Sequence, residues 1–382
     1  MTVTAGALEA RLIEAIDGGA SPAAVIAGPC GSGRTALLLR LRERLGPGRC
    51  QYVDVQRVAT TPERFLRALV SSSPFALDGV TLDRAPASPR AAFDATLQFL
   101  QAAQAPGGAP AIFLLDEALE LRTFESFPGL RGAMSALVAA LADSPNRFVM
   151  TTQFRARARR LSAEAPGRLD VHDMPQLTAP DVQGLLAETL AGTRASGVAE
   201  DIAQAVRALA VGHVGYAQML AGEMRAAGPA GVTDPVSALA ALLAPGGRLD
   251  AACRFCYEFR LHRARGYGAL KAILDVLAQE EPLTLTAIAQ RLQRTPGSTK
   301  DYLSWLEDVD LVQVARKQYR FGDPVLRLWV RLNGRAVPPA EDDVAREVHR
   351  YAAERLAVPA EEPAPVPAGS RPAGRADIIE FD

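Results

Sequence analysis

Residues 28–35 of this 382-residue chain read Gly28-Pro29-Cys30-Gly31-Ser32-Gly33-Arg34-Thr35. An apolar run, Ala23 to Ala27, precedes the stretch, and a leucine-rich helical pattern, Ala36 to Leu45, follows it. A glycine-rich loop between a strand and a helix is the context of the phosphate-binding P-loop. The glycines let the backbone wrap around phosphate oxygens, and the N–H groups at the helix start favour anions. The stretch therefore predicts a nucleotide site, and the alternative is an ordinary glycine-rich turn.

Two side chains of this loop have expected chemical roles. Arg34 stands where lysine is usual and would supply positive charge to the outer phosphates, while the Thr35 hydroxyl would bind Mg²⁺. A guanidinium is broader and flatter than an ammonium, so nucleotide binding could survive while hydrolysis is less certain. An arginine-biased composition would also explain Arg34, because the chain has few lysines: Lys271, Lys300 and Lys317. The residues expected to bind the nucleotide are Gly28, Pro29, Cys30, Gly31, Ser32, Gly33, Arg34, Thr35 and Ala36.

A second apolar run, Ala111 to Leu115, ends in Asp116 and Glu117. Continuous apolar runs of this length are typical of buried parallel strands. Asp116 would hold the magnesium ion through water, and Glu117 would act as general base on the attacking water. Alone, the pattern is weak and often marks only a strand end. Downstream of a P-loop it predicts the acidic half of one nucleotide site.

Further strands and helices alternate around these motifs. Strands are predicted at 50–55 and 147–153, and helices at 62–70, 91–103 and 130–142. Alternation of this kind predicts an α/β fold, a P-loop NTPase parallel sheet with helices on both faces. The carboxyl ends of such strands face the ligand crevice. Thr151 or Thr152 is therefore placed to sense the terminal phosphate, and the alternative for each is a routine strand-end cap.

The chain divides into four predicted parts. These are a P-loop nucleotide-binding core (1–172), an all-helical lid (173–263), a winged-helix domain (264–335) and an acidic, proline- and alanine-rich tail (336–382). Residues 71–90 are expected to form a loose surface insertion, and the first sixteen residues an amphipathic helix. The tail should be largely disordered after a short helix at 343–356. Its final segment, Ala376 to Asp382, mixes apolar and acidic residues and suggests a docking peptide for an unknown protein partner.

The predicted winged helix makes DNA a candidate partner. Its recognition helix is expected at 298–308 with Ser298 or Thr299 as N-cap, and its wing around Arg316 and Lys317. Residues 265–335 carry eleven basic and eight acidic side chains, a mildly positive balance. A DNA reader usually presents a cleaner basic face, so use of this segment for protein contact is an equal alternative. The candidate phosphate contacts are Lys300, Arg316, Lys317 and Arg320.

Composition bounds the remaining possibilities. The net charge is −1, so overall electrostatics do not point to nucleic acid. No apolar run is long enough to span a bilayer, and the first residues lack the features of a signal peptide, so no membrane partner is expected. The four cysteines do not look like a disulfide set, and Cys253 and Cys256 with His262 are weak evidence for zinc. A cytoplasmic protein is expected.

The motif order resembles that of the AAA+ ATPases, and more narrowly the archaeal-type and origin-recognition-like ATPases related to the STAND signalling ATPases. The likeness covers residues 1 to about 335 and rests on GPCGSGRT, the IFLLDE and FVMTTQ strands, the segment Val211 to Tyr216 in the lid, and the segment Tyr319 to Val330. Departures are Arg34 for lysine, Val214 where proline is common and Gln153 where a small residue is common.

The resemblance implies further roles. It implies a sensor residue, Thr151 or Thr152, and an arginine finger acting across a subunit boundary in a homo-oligomer. The finger candidates are Arg155, Arg157, Arg159 and Arg160, for each of which a solvated basic turn is the alternative. His213 would lie near the nucleotide, or would cap a helix.

These observations lead to one preferred function and two alternatives. The preferred one is an ATP-binding switch or assembly factor with slow or partner-stimulated, Mg²⁺-dependent hydrolysis. The alternatives are a nucleotide-binding scaffold that does not hydrolyse and a winged-helix DNA-binding regulator with a secondary nucleotide site.

Overall fold

The computed structural model describes residues 4–18, 23–77, 86–191, 200–226, 234–263, 266–335 and 337–357. The predicted docking peptide, Ala376 to Asp382, lies outside these residues, as does most of the predicted tail. In the described parts of the chain, the helices are all too short or too polar to cross a bilayer.

A five-stranded sheet organises the N-terminal half. Its strands are all parallel, in the order β2–β6–β7–β1–β8. Two small three-stranded sheets pair in the orders β3–β4–β5 and β10–β11–β9. The strands are β1 (Ala23–Ala27), β2 (Cys50–Asp54), β3 (Ala76–Leu77), β4 (Ala103–Ala105), β5 (Ala109–Pro110), β6 (Ile112–Asp116), β7 (Arg147–Thr152), β8 (Asp170–Asp173), β9 (Leu283–Thr284), β10 (Val312–Ala315) and β11 (Gln318–Phe321).

Helices cover both faces of the large sheet and form most of the C-terminal half. In the N-terminal half they are α1 (Ala5–Gly18), α2 (Arg34–Leu45), α3 (Val55–Val58), α4 (Pro62–Ser71), α5 (Pro89–Ala102), α6 (Ala133–Ala142) and α7 (Arg155–Glu164), with 3₁₀ turns at Pro106–Gly108 and Ala118–Ser126. Beyond β8 they are α8 (Ala179–Thr189), α9 (Glu200–Leu209), α10 (Val214–Ala226), α11 (Pro235–Leu243), α12 (Arg248–His262), α13 (Tyr267–Gln279), α14 (Leu285–Arg291), α15 (Pro296–Asp308), α16 (Pro324–Asn333) and α17 (Glu341–Leu356).

The strands are buried on both faces because successive side chains alternate between two apolar layers. On β6, Ile112 and Leu114 face α1 and α2, while Phe113 and Leu115 face the layer that contains α4, α5 and α6. Phe113 pairs in register with Phe148 of β7, and their rings stack 5.4 Å apart. The polar residues that follow β6 and β7 therefore meet at one edge of the sheet, beside the P-loop.

The structure differs from the sequence-based expectation at the edges of the core. Strand β8 pairs with β1, and the domain boundary predicted after residue 172 falls inside it. The expectation of a loose insertion at 71–90 was wrong for its first residues, because Phe75 is buried against Phe113 and β3 pairs with β4. The burial of an aromatic ring explains why this part of the chain folds onto the core. Residues 78–85 lie outside the described structure.

One hydrophobic core joins the helices beyond β8 with the segment predicted to be a winged helix. It runs from Val182 of α8 to Ala352 of α17. Helix α17 packs against α9, α11 and α16, so the helix expected at 343–356 is present and belongs to this core. Helices α13, α14 and α15 and the hairpin β10–β11 follow one another as a winged helix requires. The assignment of the segment as a winged helix stays a prediction.

The predicted N-cap of α15 was wrong. The cap is Thr295, whose hydroxyl accepts a hydrogen bond from the Ser298 backbone N–H (3.4 Å), and Pro296 occupies the first turn. Proline is favoured in the first turn because its missing N–H needs no partner there, so the helix starts earlier than Ser298.

Candidate nucleotide-binding site

The P-loop connects β1 to α2 and is fixed to the neighbouring strands. The Gly28 N–H donates to the Thr152 carbonyl (3.1 Å), which ties the loop to the end of β7. A Cβ at Gly28 would lie 2.7 Å from the Ser32 hydroxyl, so a side chain does not fit there. Gly31 and Gly33 have φ of 75° and 89°, in the left-handed region that glycine adopts without strain. The glycines are thus required by the shape of the loop.

Arg34 is buried inside this loop. Its guanidinium donates to the carbonyls of Gly28 and Pro29 and to the Ser32 hydroxyl (3.3 Å), and it forms an ion pair with Glu117. Its Nε has no hydrogen-bond partner although it is buried. A buried donor of this kind favours an anion as partner. Arg34 therefore lies in the P-loop, and it links the loop directly to Glu117, the predicted general base.

Asp116 is the centre of a hydrogen-bond network. The Thr35 hydroxyl donates to Oδ2 (2.7 Å), the Tyr52 hydroxyl donates to the same oxygen (3.0 Å), and the Thr151 hydroxyl donates to Oδ1. Burial and the nearby Asp116 carboxylate raise the pKa of Tyr52, so this phenol stays a donor at neutral pH. Thr35 and Asp116 together offer the hard oxygen donors that Mg²⁺ prefers.

Glu117 is held in a strained position beside Asp116. Its φ of 53° is in the left-handed region, which is unusual for a residue other than glycine and often marks a functional site. Its N–H donates to the Thr151 hydroxyl (2.9 Å), and its Oε2 accepts from the Gln153 N–H (3.0 Å). These contacts hold the carboxylate at the sheet edge, where a general base for the terminal phosphate would be needed.

The two candidate sensor threonines differ. Thr151 contacts both predicted acids, Asp116 and Glu117, whereas the Thr152 hydroxyl accepts from the Phe154 N–H (3.1 Å). Thr151 thus lies in the site, and Thr152 has the geometry of a local strand-end cap.

The lid contacts the outer side of the P-loop through His213 and Gly215. His213 Nε2 lies 2.8 Å from the Cys30 carbonyl, and its Nδ1 accepts from the Tyr216 N–H (3.2 Å). The Gly215 N–H donates to the Gly31 carbonyl (3.1 Å). His213 therefore has both expected positions, since it caps α10 and touches the loop. Since Nδ1 accepts a bond, the neutral ring carries its proton on Nε2.

We expect His213 to make stability depend on pH. Burial lowers its pKa, so below a pH of about 6.5 the unfolded chain binds a proton that the folded chain does not. The contribution of His213 is present at pH 7 and is lost as the pH falls toward 5. Chemical unfolding should show that the free energy of unfolding falls less between pH 7 and pH 5 in His213→Asn than in the wild type. The asparagine amide oxygen keeps the cap of α10. In the control His262→Asn, at an exposed site, the free energy of unfolding should fall as much as in the wild type. An equal fall in all three proteins would contradict the assignment of the pH dependence to His213.

The arginines that follow β7 form ion pairs within the chain. Arg157 and Arg160 both contact the buried carboxylate of Asp308 in α15 (3.1 and 2.7 Å). Arg159 pairs with Asp173, and Arg155 lies 3.9 Å from the same carboxylate at the edge of the cavity beside the P-loop. These pairs join α7 to its surroundings. An arginine finger among these four residues stays a prediction.

The candidate DNA-contact residues are all exposed. Lys300 lies on α15, and Arg316 and Lys317 form the turn between β10 and β11, with φ of 52° and 63°. Asp308, an acidic residue near the end of α15, is only 5% exposed and forms an ion pair with Arg157 of α7. In the described residues, no group of three or more His, Cys, Asp or Glu side chains could hold a metal ion, and this includes the surroundings of Cys253 and Cys256.

Several site residues escaped the sequence reasoning. Tyr52 could have been suspected because it lies on β2, next to the strand that ends in Asp116. Cys256 and Arg260 of α12 line the same cavity as the P-loop, together with Asp323. Helix α12, which carries Cys256 and Arg260, comes more than two hundred residues after the P-loop, and no local sequence pattern indicates that the two lie close together.

The residues present fit a nucleotide with Mg²⁺. A side chain does not fit at Gly28 of the loop, the buried Arg34 lacks a partner at Nε, and the Thr35 hydroxyl donates to the Asp116 carboxylate. Each feature suits a phosphate or a hard cation.

Comparison with known proteins supports the fold. No family model matches the sequence, and no curated protein matches it. Among solved structures, a Walker-type ATPase of Pyrococcus abyssi is 16% identical with a TM-score of 0.62, and the match covers 86% of this chain and 98% of that one. A mutant of RuvB from Thermotoga maritima is 14% identical with a TM-score of 0.43, covering 82% and 89%. The predicted P-loop α/β fold and the likeness to archaeal-type P-loop ATPases are thus confirmed: this chain has the fold of a Walker-type ATPase.

Proposed function

We propose that this chain is a Mg²⁺-dependent ATPase that acts as a nucleotide-dependent switch or assembly factor. One observation carries the proposal: the P-loop residues Arg34 and Thr35 are directly bonded to Glu117 and Asp116 at the end of β6. Phosphate-binding loop, metal-binding acid and base therefore belong to one site. ATP rather than another nucleotide rests on the family resemblance.

Each residue of the site has its own role in the proposed reaction. The P-loop N–H groups bind the β- and γ-phosphates of ATP, and Arg34 turns from Glu117 toward the outer phosphate oxygens. Thr35 and Asp116 would hold Mg²⁺, which would neutralise charge on the phosphates. Glu117, released from Arg34, accepts a proton from the water that attacks the γ-phosphorus, while the bond from that phosphorus to the β–γ bridging oxygen breaks and ADP leaves. Thr151 keeps Asp116 and Glu117 aligned throughout.

The same contacts support slow or partner-stimulated turnover. The guanidinium of Arg34 forms an ion pair with Glu117 and also bonds the loop carbonyls, so ATP has to compete with several charge-assisted bonds before the base is free. This ion pair also supports a second candidate, a scaffold that binds nucleotide and never releases the base. Phosphate release distinguishes the two.

Nucleotide binding at the P-loop would be coupled to movement of the C-terminal helices through the lid. His213 and Gly215 touch the P-loop, and the Tyr216 hydroxyl of the same helix donates to Asp323 at the start of α16 (2.6 Å). A shift of the P-loop on binding ATP would thus reach the C-terminal helices. A cytoplasmic homo-oligomer, with a finger from Arg155 or its neighbours, belongs to this proposal; the four free cysteines are in keeping with a reducing compartment.

We expect ATP and ADP with Mg²⁺ to raise the melting temperature of the wild type. A ligand at about 100 times its Kd stabilises by roughly 2.7 kcal/mol. Asp116→Asn should lose the Mg²⁺-dependent part of this shift, because the amide gives up the negative charge that holds the cation. Asp54→Asn is the matched control, since Asp54 ends the neighbouring strand in register with Asp116. No shift with any nucleotide in the wild type would overturn the proposal.

A DNA-binding role is the other alternative, and the exposure of Arg316 and Lys317 at the turn between β10 and β11 supports it. If Arg316 and Lys317 contact phosphates, the double variant Arg316→Ala/Lys317→Ala should reduce the slope of log affinity against log salt by about 2. Fluorescence anisotropy with duplex DNA between low and moderate salt measures this slope. The control Arg90→Ala/Arg122→Ala removes two exposed arginines of the core and should leave the slope unchanged. A wild type that does not bind DNA at low salt excludes this role.

A further inference from the structure

Two cysteines from distant parts of the chain meet beside the P-loop. Cys30 is the third residue of the loop, and Cys256 lies on α12. Both line the cavity that also contains His213 and Arg260, where the two thiols are close enough to affect each other's pKa, and the Cys30 thiol donates a hydrogen bond to the Gln153 amide oxygen (2.9 Å). Both side chains are partly exposed, so a small reagent can reach them.

The surroundings divide the pair into a nucleophile and a resolving thiol. The interaction with the Cys256 thiol and the charges of Arg260 and Arg34 lower the pKa of Cys30 to about 6, although burial opposes this. The lowered pKa favours the thiolate form of Cys30; the Gln153 amide, whose oxygen accepts from the Cys30 thiol at 2.9 Å, would turn to present its NH₂ group to the thiolate. The neighbouring Cys30 and burial raise the pKa of Cys256, which stays protonated. Oxidation of Cys30 removes the thiol–thiol interaction that is the largest cause of that increase.

The other two cysteines have different surroundings. Cys50 is buried and its thiol donates to the carbonyls of Arg42 and Gly46 (3.7 and 3.3 Å), and burial raises its pKa. Cys253 is buried in the C-terminal core, and burial raises its pKa as well. Buried thiols of this kind are unreactive. The chain thus contains an internal comparison for the reactivity of Cys30 and Cys256.

We propose that Cys30 and Cys256 are a peroxide-sensitive thiol pair whose disulfide fastens the P-loop to helix α12. The Cys30 thiolate attacks one oxygen of hydrogen peroxide, the O–O bond breaks, and hydroxide leaves; Cys30 becomes a sulfenic acid. The Cys256 sulfur then attacks the Cys30 sulfur, the S–O bond breaks, and the hydroxyl leaves as water with the Cys256 proton. Two thiols are oxidised, and one peroxide is reduced to water.

The consequence for nucleotide rests on the proposed function. The Cys30 and Gly31 carbonyls already accept bonds from His213 and Gly215 on the outer side of the loop. A covalent bond from Cys30 to α12 would prevent the loop from turning when phosphates displace Arg34. The oxidised chain therefore binds Mg²⁺-ATP more weakly, and a thiol reductant restores binding.

Mass spectrometry of the full chain after treatment with hydrogen peroxide tests the pair without reference to nucleotide. We expect a Cys30–Cys256 disulfide in the wild type and in the control Cys50→Ser, whose hydroxyl keeps the bonds to Arg42 and Gly46. In Cys256→Ser, dimedone should trap the Cys30 sulfenic acid. Cys30 should react at least about tenfold faster than Cys253. Peptides in which Cys30 and Cys256 stay reduced, or pair with other cysteines at equal rates, would overturn the proposal.

Thermal shift with Mg²⁺-ATP separates this proposal from the proposed function. A shift that is present in the reduced wild type, lost after oxidation and restored by dithiothreitol supports both. Equal shifts in the reduced and oxidised wild type would overturn the block of nucleotide binding. If the disulfide forms but Mg²⁺-ATP shifts the melting temperature of neither the reduced nor the oxidised protein, the proposed ATPase function is overturned and the proposed thiol pair is retained.

Discussion

Glu117→Gln should lower phosphate release by about 10²–10⁴-fold while ATP binding is retained. Glutamine has the same shape, and its amide oxygen still accepts from the Gln153 N–H that holds Glu117 (3.0 Å). What it loses is the basicity needed to accept a proton from water and the charge that pairs with Arg34. Because the variant frees Arg34 from its ion pair, ATP should bind as tightly as in the wild type or more tightly. Steady-state phosphate release and a nucleotide thermal shift measure the two effects.

The matched control for this prediction is Glu125→Gln. Glu125 lies in the same 3₁₀ segment after β6, and its only ion pair is with exposed Arg122 (3.4 Å) among the residues described. Its turnover should equal that of the wild type. If Glu117→Gln hydrolyses ATP as fast as the control, Glu117 is not the base. If the wild type binds ATP without measurable turnover, the scaffold becomes the better account of the site.

Phe113→Ala should cost about 3–5 kcal/mol of the free energy of unfolding. The ring is fully buried in the centre of the sheet, where it stacks on Phe148 and makes edge contacts with Phe75 and Phe99 at 5.2 and 6.0 Å. Truncation leaves a cavity lined by three other rings, which cannot all move inward. A fall of roughly 10 °C in melting temperature follows for a domain of this size.

Phe255→Ala is the comparison for Phe113→Ala. Phe255 stacks on Phe259 at 5.6 Å, yet it is 62% exposed on α12, so its truncation should cost less than about 1 kcal/mol. Urea unfolding followed by circular dichroism measures both variants. Equal losses would mean that the aromatic layer under the sheet contributes less to stability than its burial indicates.

The parts of the site that the sequence predicts are those built from local patterns. The strand ending in Asp116 was expected at 111–115 and is Ile112–Asp116, because a continuous apolar run next to a P-loop has few other interpretations. Strand β8 was missed because Asp170, His172 and Asp173 dilute its apolar pattern, and an edge strand needs no more than one apolar face. Thr151 lies beside both acids because β7 pairs with β6 in the sheet. The order of the strands in a sheet cannot be predicted from the sequence of each strand taken alone.

Contacts between remote segments could not be predicted from the sequence. The Tyr52 bond to Asp116 depends on the pairing of β2 with β6, and the meeting of Cys30 with Cys256 depends on how α12 packs beside the loop. Side-chain burial and the twist of the sheet decide both, and neither leaves a pattern in the local residues. Arg34 illustrates the difference: its presence in the loop was evident, but its ion pair with Glu117 was not.

The apolar core that continues from α8 to α17 has a consequence for cooperativity. The boundary expected near residue 263 does not divide it, since Leu261 and Leu270 on either side belong to the same buried cluster. Segments that share one core open together, so amide protons in α8 to α12 and in α13 to α17 should exchange with solvent at similar rates. The C-terminal half would then unfold locally as one unit rather than as a lid and a separate following domain.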